Sequence, residues 1–137
     1  PAEREIFTNR TSIPWLSNFT PEDFEAAFLG LAVQDSLVRA LVGVGARLLA
    51  GTDTNPLGYV LHRELRELVQ AGLTPFQALK AATSNPAEFF DLTDGSGTIS
   101  VGSRADLVLI EGNPLTDISS TSRIRGVVKA GDWIQQR

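Results

Sequence analysis

Arg47-Leu48-Leu49-Ala50-Gly51-Thr52-Asp53 is an apolar run that stops on Thr-Asp. Bounded by glycine, it has the pattern of a fully buried strand over residues 47–52. A carboxylate at the C-terminal tip of such a strand sits where parallel α/β folds keep their chemistry, which makes Asp53 the first functional candidate. Gly43-x-Gly45, just upstream, follows a helical pattern and precedes the strand. That is the reverse of the order in a dinucleotide-binding loop, so it reads as a helix stop.

Outward from this stretch, Thr20-Pro21-Glu22-Asp23 is a helix start, with a capping hydroxyl, proline at the first helical position and acids at the positive end of the dipole. Phe24, Ala27, Phe28, Leu31, Leu37, Val38, Leu41 and Val42 carry the helical pattern to about Val44. On the other side, a helix is expected from about Tyr59 to Ala71, its apolar face Val60/Leu61, Leu65, Leu68 and Val69, with Gly72 as its C-terminal cap. Thr74-Pro75-Phe76-Gln77 is a capping box opening a helix to about Thr83. Asn85-Pro86-Ala87-Glu88 repeats the device for a short helix ending near Leu92. At Asp94-Gly95-Ser96-Gly97 the character changes: strands are expected over 105–110 and 124–129, and Ala130-Gly131-Asp132 turns the chain into a terminal hairpin at Trp133-Ile134. Two regions follow from this, a mostly helical 1–93 and a β-rich 94–137.

Composition narrows the function classes. The chain has 137 residues, 42% hydrophobic and 20% charged, which are globular values. That is one domain's length, far short of the roughly 250 residues of a complete (β/α)8 barrel. A net charge of −4 with both signs interspersed offers no basic face for nucleic acid. No apolar run approaches the roughly 20 residues of a bilayer span, so no membrane role is expected. Without cysteine there are neither disulfides nor thiolate metal sites, which fits a reducing compartment.

A set of short motifs follows Asp53 in order: Gly58 and His62-Arg63-Glu64-Leu65, Ala71-Gly72-Leu73-Thr74-Pro75, Ala82-Thr83, Asn85-Pro86-Ala87, Gly97-Thr98-Ile99, Gly102-Ser103-Arg104-Ala105-Asp106-Leu107-Val108, Gly112-Asn113-Pro114-Leu115, then Val127 and Gly131. Each is weak alone. As an ordered set over about residues 40–134 they resemble the C-terminal part of the metal-dependent amidohydrolase superfamily, its imidazolonepropionase-like and Xaa-Pro dipeptidase-like members above all. The resemblance implies an α/β fold: the end of a (β/α)8 barrel, with its last strand and surrounding helices, followed by strands of a small β-sandwich. It implies a cytoplasmic hydrolase of amide C–N bonds.

In the family, the Asp ending the last barrel strand binds a divalent metal, usually zinc, and carries protons, so the resemblance assigns Asp53 a catalytic and metal-binding role. A carboxylate in that place can take the proton of an attacking water and return it to the leaving amine. Against this stands a plain use of Asp53 as an Asx-turn former. Asn55 is a candidate substrate contact, although turn formation is the commoner use of asparagine. His62, the single histidine, sits where the resemblance places the pocket rim, so it is a substrate-binding candidate rather than a ligand. Glu64 and Glu67 with Arg63 and Arg66 have the spacing of intrahelical ion pairs on a solvated face. Asp106 belongs to a family hallmark in which its role is structural.

The family's H-x-H and its other histidine and lysine or glutamate ligands have no counterpart here, and a zinc site takes three protein ligands plus water. No metal is therefore expected on this chain alone, and no hydrolase activity. The expected partner is the missing N-terminal barrel portion, from upstream sequence or a complementing chain. The alternative is a non-catalytic assembly or interaction module, a homo-oligomer among the options, whose interface would include Phe24, Phe28, Leu48 and Ala50.

Overall fold

A computed structural model describes residues 20–53 and 59–134. It divides into two units, Pro1–Leu37 and Val38–Arg137. α1 (Pro21–Gly43) begins in the first unit, at the expected cap, and ends in the second. Thr20 Oγ1 accepts from the Asp23 amide at 3.2 Å, and Asp23 Oδ2 accepts from the Thr20 amide at 2.8 Å. That bond to the Thr20 backbone is the main reason the Asp23 carboxyl is held below its ordinary range. Contrary to expectation, α1 is long and apolar enough, by length and composition alone, to cross a bilayer. Asp35 and Arg39 interrupt its apolar run, and its last turns, from Val38 on, belong to the second unit: within that unit Val38 and Val42 pack on the core, and Arg39 Nε donates to the Ala71 carbonyl at 3.2 Å.

The second unit continues with α2 (Tyr59–Gln70), α3 (Pro75–Ala82) and α4 (Ser84–Phe89). α1 and α2 end alike. Gly45 donates to the Val42 carbonyl and Ala46 to Leu41; Gly72 donates to Val69 and Leu73 to Leu68. These are Schellman caps, and both glycines take the left-handed conformation that the motif requires. α3 opens on the expected capping box, the Gln77 amide on Thr74 Oγ1 and the Thr74 amide on Gln77 Oε1, with Pro75 in the first turn. α4 departs from expectation. It starts at Ser84 and stops at Phe89, so Asn85 is inside it rather than capping it.

The expected strand over 47–52 is not part of a sheet. A parallel strand needs neighbours on its edges, and among the described residues none lies beside it. Its polar groups find helices instead: the Leu48 carbonyl accepts from Asn85 Nδ2 at 2.9 Å, and the Ala50 amide donates to the Ala81 carbonyl at 2.8 Å. Leu48 and Ala50 are half-buried, whereas Leu49 is 39% exposed.

The tail forms one antiparallel sheet in the order β1 (Leu107–Ile110), β2 (Ile124–Lys129), β3 (Asp132–Ile134), with a 3-10 turn at Ile118–Ser122. Val108 pairs with Val127 and Val128 with Trp133. The two-residue loop Ala130-Gly131 has positive φ at both positions, the primed hairpin turn whose twist matches the strands. Asp106 holds that turn: its Oδ1 accepts from the Ala130 amide at 2.6 Å and its Oδ2 pairs with Arg104 at 2.8 Å. This agrees with a structural role for Asp106. The Trp133 indole lies against Gly126, where an added Cβ would stand 1.9 Å from the far end of the ring. Helices and tail share a core in which Leu65, Leu73 and Ala78 meet Ile118. The fold is thus mixed α and β with a small three-stranded sheet.

Candidate functional site

Asp53 ends the anchored segment, exposed, with φ +43°. For a residue with a Cβ that left-handed conformation is uncommon and costs of order 1 kcal/mol or more, so it persists only where the surroundings impose it. Three contacts hold the segment upstream of it. To the Asn85 and Ala81 bonds is added a third, the Gly51 amide donating to Glu64 Oε1 at 2.8 Å. Glu64 is half-buried in the second turn of α2, and its Oε2 is buried with no hydrogen-bond partner among the described residues.

His62 is half-buried on the same helix, its Nδ1 buried and without a partner among the described residues. Asn55 lies outside the described residues. Of the expected intrahelical pairs, Arg63–Glu67 forms at 2.6 Å. Glu64 does not join such a pair, which corrects its reading as a solvated residue. The signal was present in the sequence: Glu64 lies three residues from Leu61 and four from Val60 and Leu68, inside the apolar stripe of α2. Asn85, 9% exposed, was read as a cap because it precedes proline; its partner, Leu48, is 37 residues away and invisible to local pattern.

A cavity of about 190 Å³ opens beside the start of the segment, lined by Arg47, Leu48, Gln77, Lys80 and Asn85 among others. It is small for a substrate pocket, which typically spans about 300 Å³ or more, and neither Asp53 nor His62 lines it. Among the described residues no group of three or more histidine, aspartate or glutamate side chains converges to hold a metal ion. Among the described residues Asp53 is therefore one carboxylate without companion ligands, and these residues do not by themselves fit a metal centre.

Comparison with known proteins places this geometry in a larger frame. The chain is 35% identical over 91 residues to ochratoxinase of Aspergillus niger, a match covering 64% of this chain and 19% of that enzyme. It is 40% identical over 93 residues to imidazolonepropionase of Rubrobacter xylanophilus, covering 63% of this chain and 21% of the relative. Among solved structures, a Xaa-Pro dipeptidase with methionine bound in its active site superposes with a TM-score of 0.73 at 27% identity, over 96% of this chain and 32% of its own. The chain thus spans about a fifth of the curated relatives it matches. The model of the amidohydrolase family matches residues 32–134, three quarters of the chain and every described element from the latter half of α1 onward. On that match, the chain belongs to the amidohydrolase family.

Proposed function

We propose that this chain is the C-terminal portion of a cytoplasmic, metal-dependent hydrolase of amide C–N bonds, in dipeptides or cyclic amides, and is inactive until joined to the rest of a (β/α)8 barrel. Residues 47–52 would be the last barrel strand, α2 to α4 the helices around it, and β1 to β3 part of a small sandwich, with the boundary near residue 94. The supporting observation is Asp53: an exposed carboxylate in a left-handed backbone conformation, at the end of a segment bonded to three helices, in a chain whose fold is shared along 96% of its length with a Xaa-Pro dipeptidase.

Asp53 would take a proton from the attacking water as its oxygen bonds to the amide carbon. It would then pass that proton to the departing nitrogen as the C–N bond breaks. The amidohydrolase family is generally metal-dependent. Because Asp53 alone does not make a site, a divalent ion, zinc by family habit, would need its remaining ligands from upstream sequence or a complementing chain. Asn55 and His62 would contact substrate.

The test is turnover of Xaa-Pro dipeptides and cyclic amides by the complete barrel, parent against Asp53→Asn. The variant should fold and lose about 10²–10⁴-fold in kcat; retained turnover would sink the assignment. A second reading, a non-catalytic assembly module, draws on exposed apolar residues of α1, Leu29, Val33 and Leu37 among them. An H-x-H in the same frame upstream of Pro1 favours the hydrolase, and a start codon there favours the module.

A further inference from the structure

Glu64 is the last anchor before Asp53. Leu48 is held by a side chain, Ala50 by a main-chain carbonyl, and Gly51, two residues from Asp53, by the carboxylate of Glu64. Beyond Gly51 the backbone turns left-handed at a residue with a Cβ, and such a conformation relaxes once its supports are removed. Glu64 stands on α2, the next described element after Asp53, so its bond ties Gly51 to that helix. Among the described residues the Cβ direction at Gly51 meets nothing within 4 Å, so there the bond rather than side-chain packing holds this point of the backbone. The carboxylate is drawn out of solvent to make one bond, while its second oxygen is buried with no donor among the described residues. Burying an unpaired acceptor is costly, and here that cost accompanies a single backbone contact beside the candidate catalytic residue.

We infer that Glu64 is a positioning residue: by accepting from the Gly51 amide it sets the backbone from which Asp53 presents its carboxylate. This inference rests on the hydrolase reading for its kinetic consequence, but the Gly51–Glu64 link can be measured without it.

Two conservative variants of the complete enzyme separate reach from charge. Glu64→Gln keeps an oxygen at the same reach and removes the charge; Glu64→Asp keeps the charge and withdraws the acceptor by one methylene. Positioning predicts that Glu64→Gln stays within about twofold of the parent in kcat. It also predicts that Glu64→Asp loses about 10- to 100-fold in kcat with KM little changed, the penalty of a reacting group misplaced by about an ångström. Hydrogen exchange at the Gly51 amide should accelerate in Glu64→Asp and not in Glu64→Gln. The reverse kinetic order, loss in both variants, loss in neither, or unaltered Gly51 exchange in Glu64→Asp would each overturn the inference. Asp53→Asn serves as the control. If it retains parent turnover, the hydrolase reading fails, and the exchange measurement still decides whether Glu64 holds Gly51. If it abolishes turnover while both Glu64 variants match the parent, only the positioning role fails.

Discussion

The β-rich tail and the segment leading to Asp53 satisfy their backbones in different ways. From Asp94 to Ile134 the partners come from the tail itself: β2 pairs with β1 and β3, Asp106 holds the Ala130 amide, Asn113 the Leu115 amide and Asp117 the Ser119 amide. From Leu48 to Gly51 every partner named above is borrowed from a later helix, from Asn85, Ala81 and Glu64. The tail's shape is therefore written in turn residues at short offsets. The geometry at Asp53 is written in α2, α3 and α4, and a change in those helices reaches the carboxylate without touching it.

The comparison can be broken at either end. The largest stability effect is expected in the tail from Gly126→Ala, because the new methyl would occupy the place of the Trp133 ring. Displacing the indole should cost about 1–3 kcal/mol, read as a lowered urea midpoint of the complete protein, with exchange at Ala50 and Gly51 unchanged. Asn85→Ala attacks the segment instead. It strands the Leu48 carbonyl but also removes the amide oxygen of Asn85, itself buried without a partner among the described residues, so the loss should be near 1 kcal/mol. Exchange should quicken at Ala50 and Gly51 while the tail amides keep their protection. Acceleration in the tail as well would mean that the two regions are not separately held.

The smallest effect is expected from pH. Hydrogen bonds from Ser96 to Asp94 and from Ser119 to Asp117 hold both carboxyls below the ordinary value of 3.8. Between the folded and unfolded pKa the unfolded chain binds more protons, so stability rises with pH there. The contribution is complete above 3.8 and disappears as pH falls through the lowered values. Unfolding midpoints measured from pH 5 to pH 2.5 should fall less steeply in the double variant Asp94→Asn, Asp117→Asn than in the parent.

The same division explains what was legible in the sequence. The Thr74–Gln77 box, the Gly72 cap and the turn at Ala130-Gly131 were readable because each motif satisfies backbone within a few residues of itself. The run at 47–52 was recognised as apolar and extended, but its ladder was not there to find, since a strand's partners are not encoded in the strand. Asp53 was found as a chain position and a resemblance. Its supports were missed: Asn85 passed for a cap, and Glu64 for half of a surface ion pair that Arg63 makes with Glu67 instead.

The indole resting on Gly126 also gives the tail an optical signature. Trp133 is 53% exposed, so part of the ring meets water while its far end lies against Gly126 of β2. The chain has a second tryptophan, Trp15, and Trp15→Phe leaves Trp133 as this segment's sole indole emitter. Its emission maximum then follows the closing of the hairpin, and a stopped-flow trace of that light times the assembly of the tail.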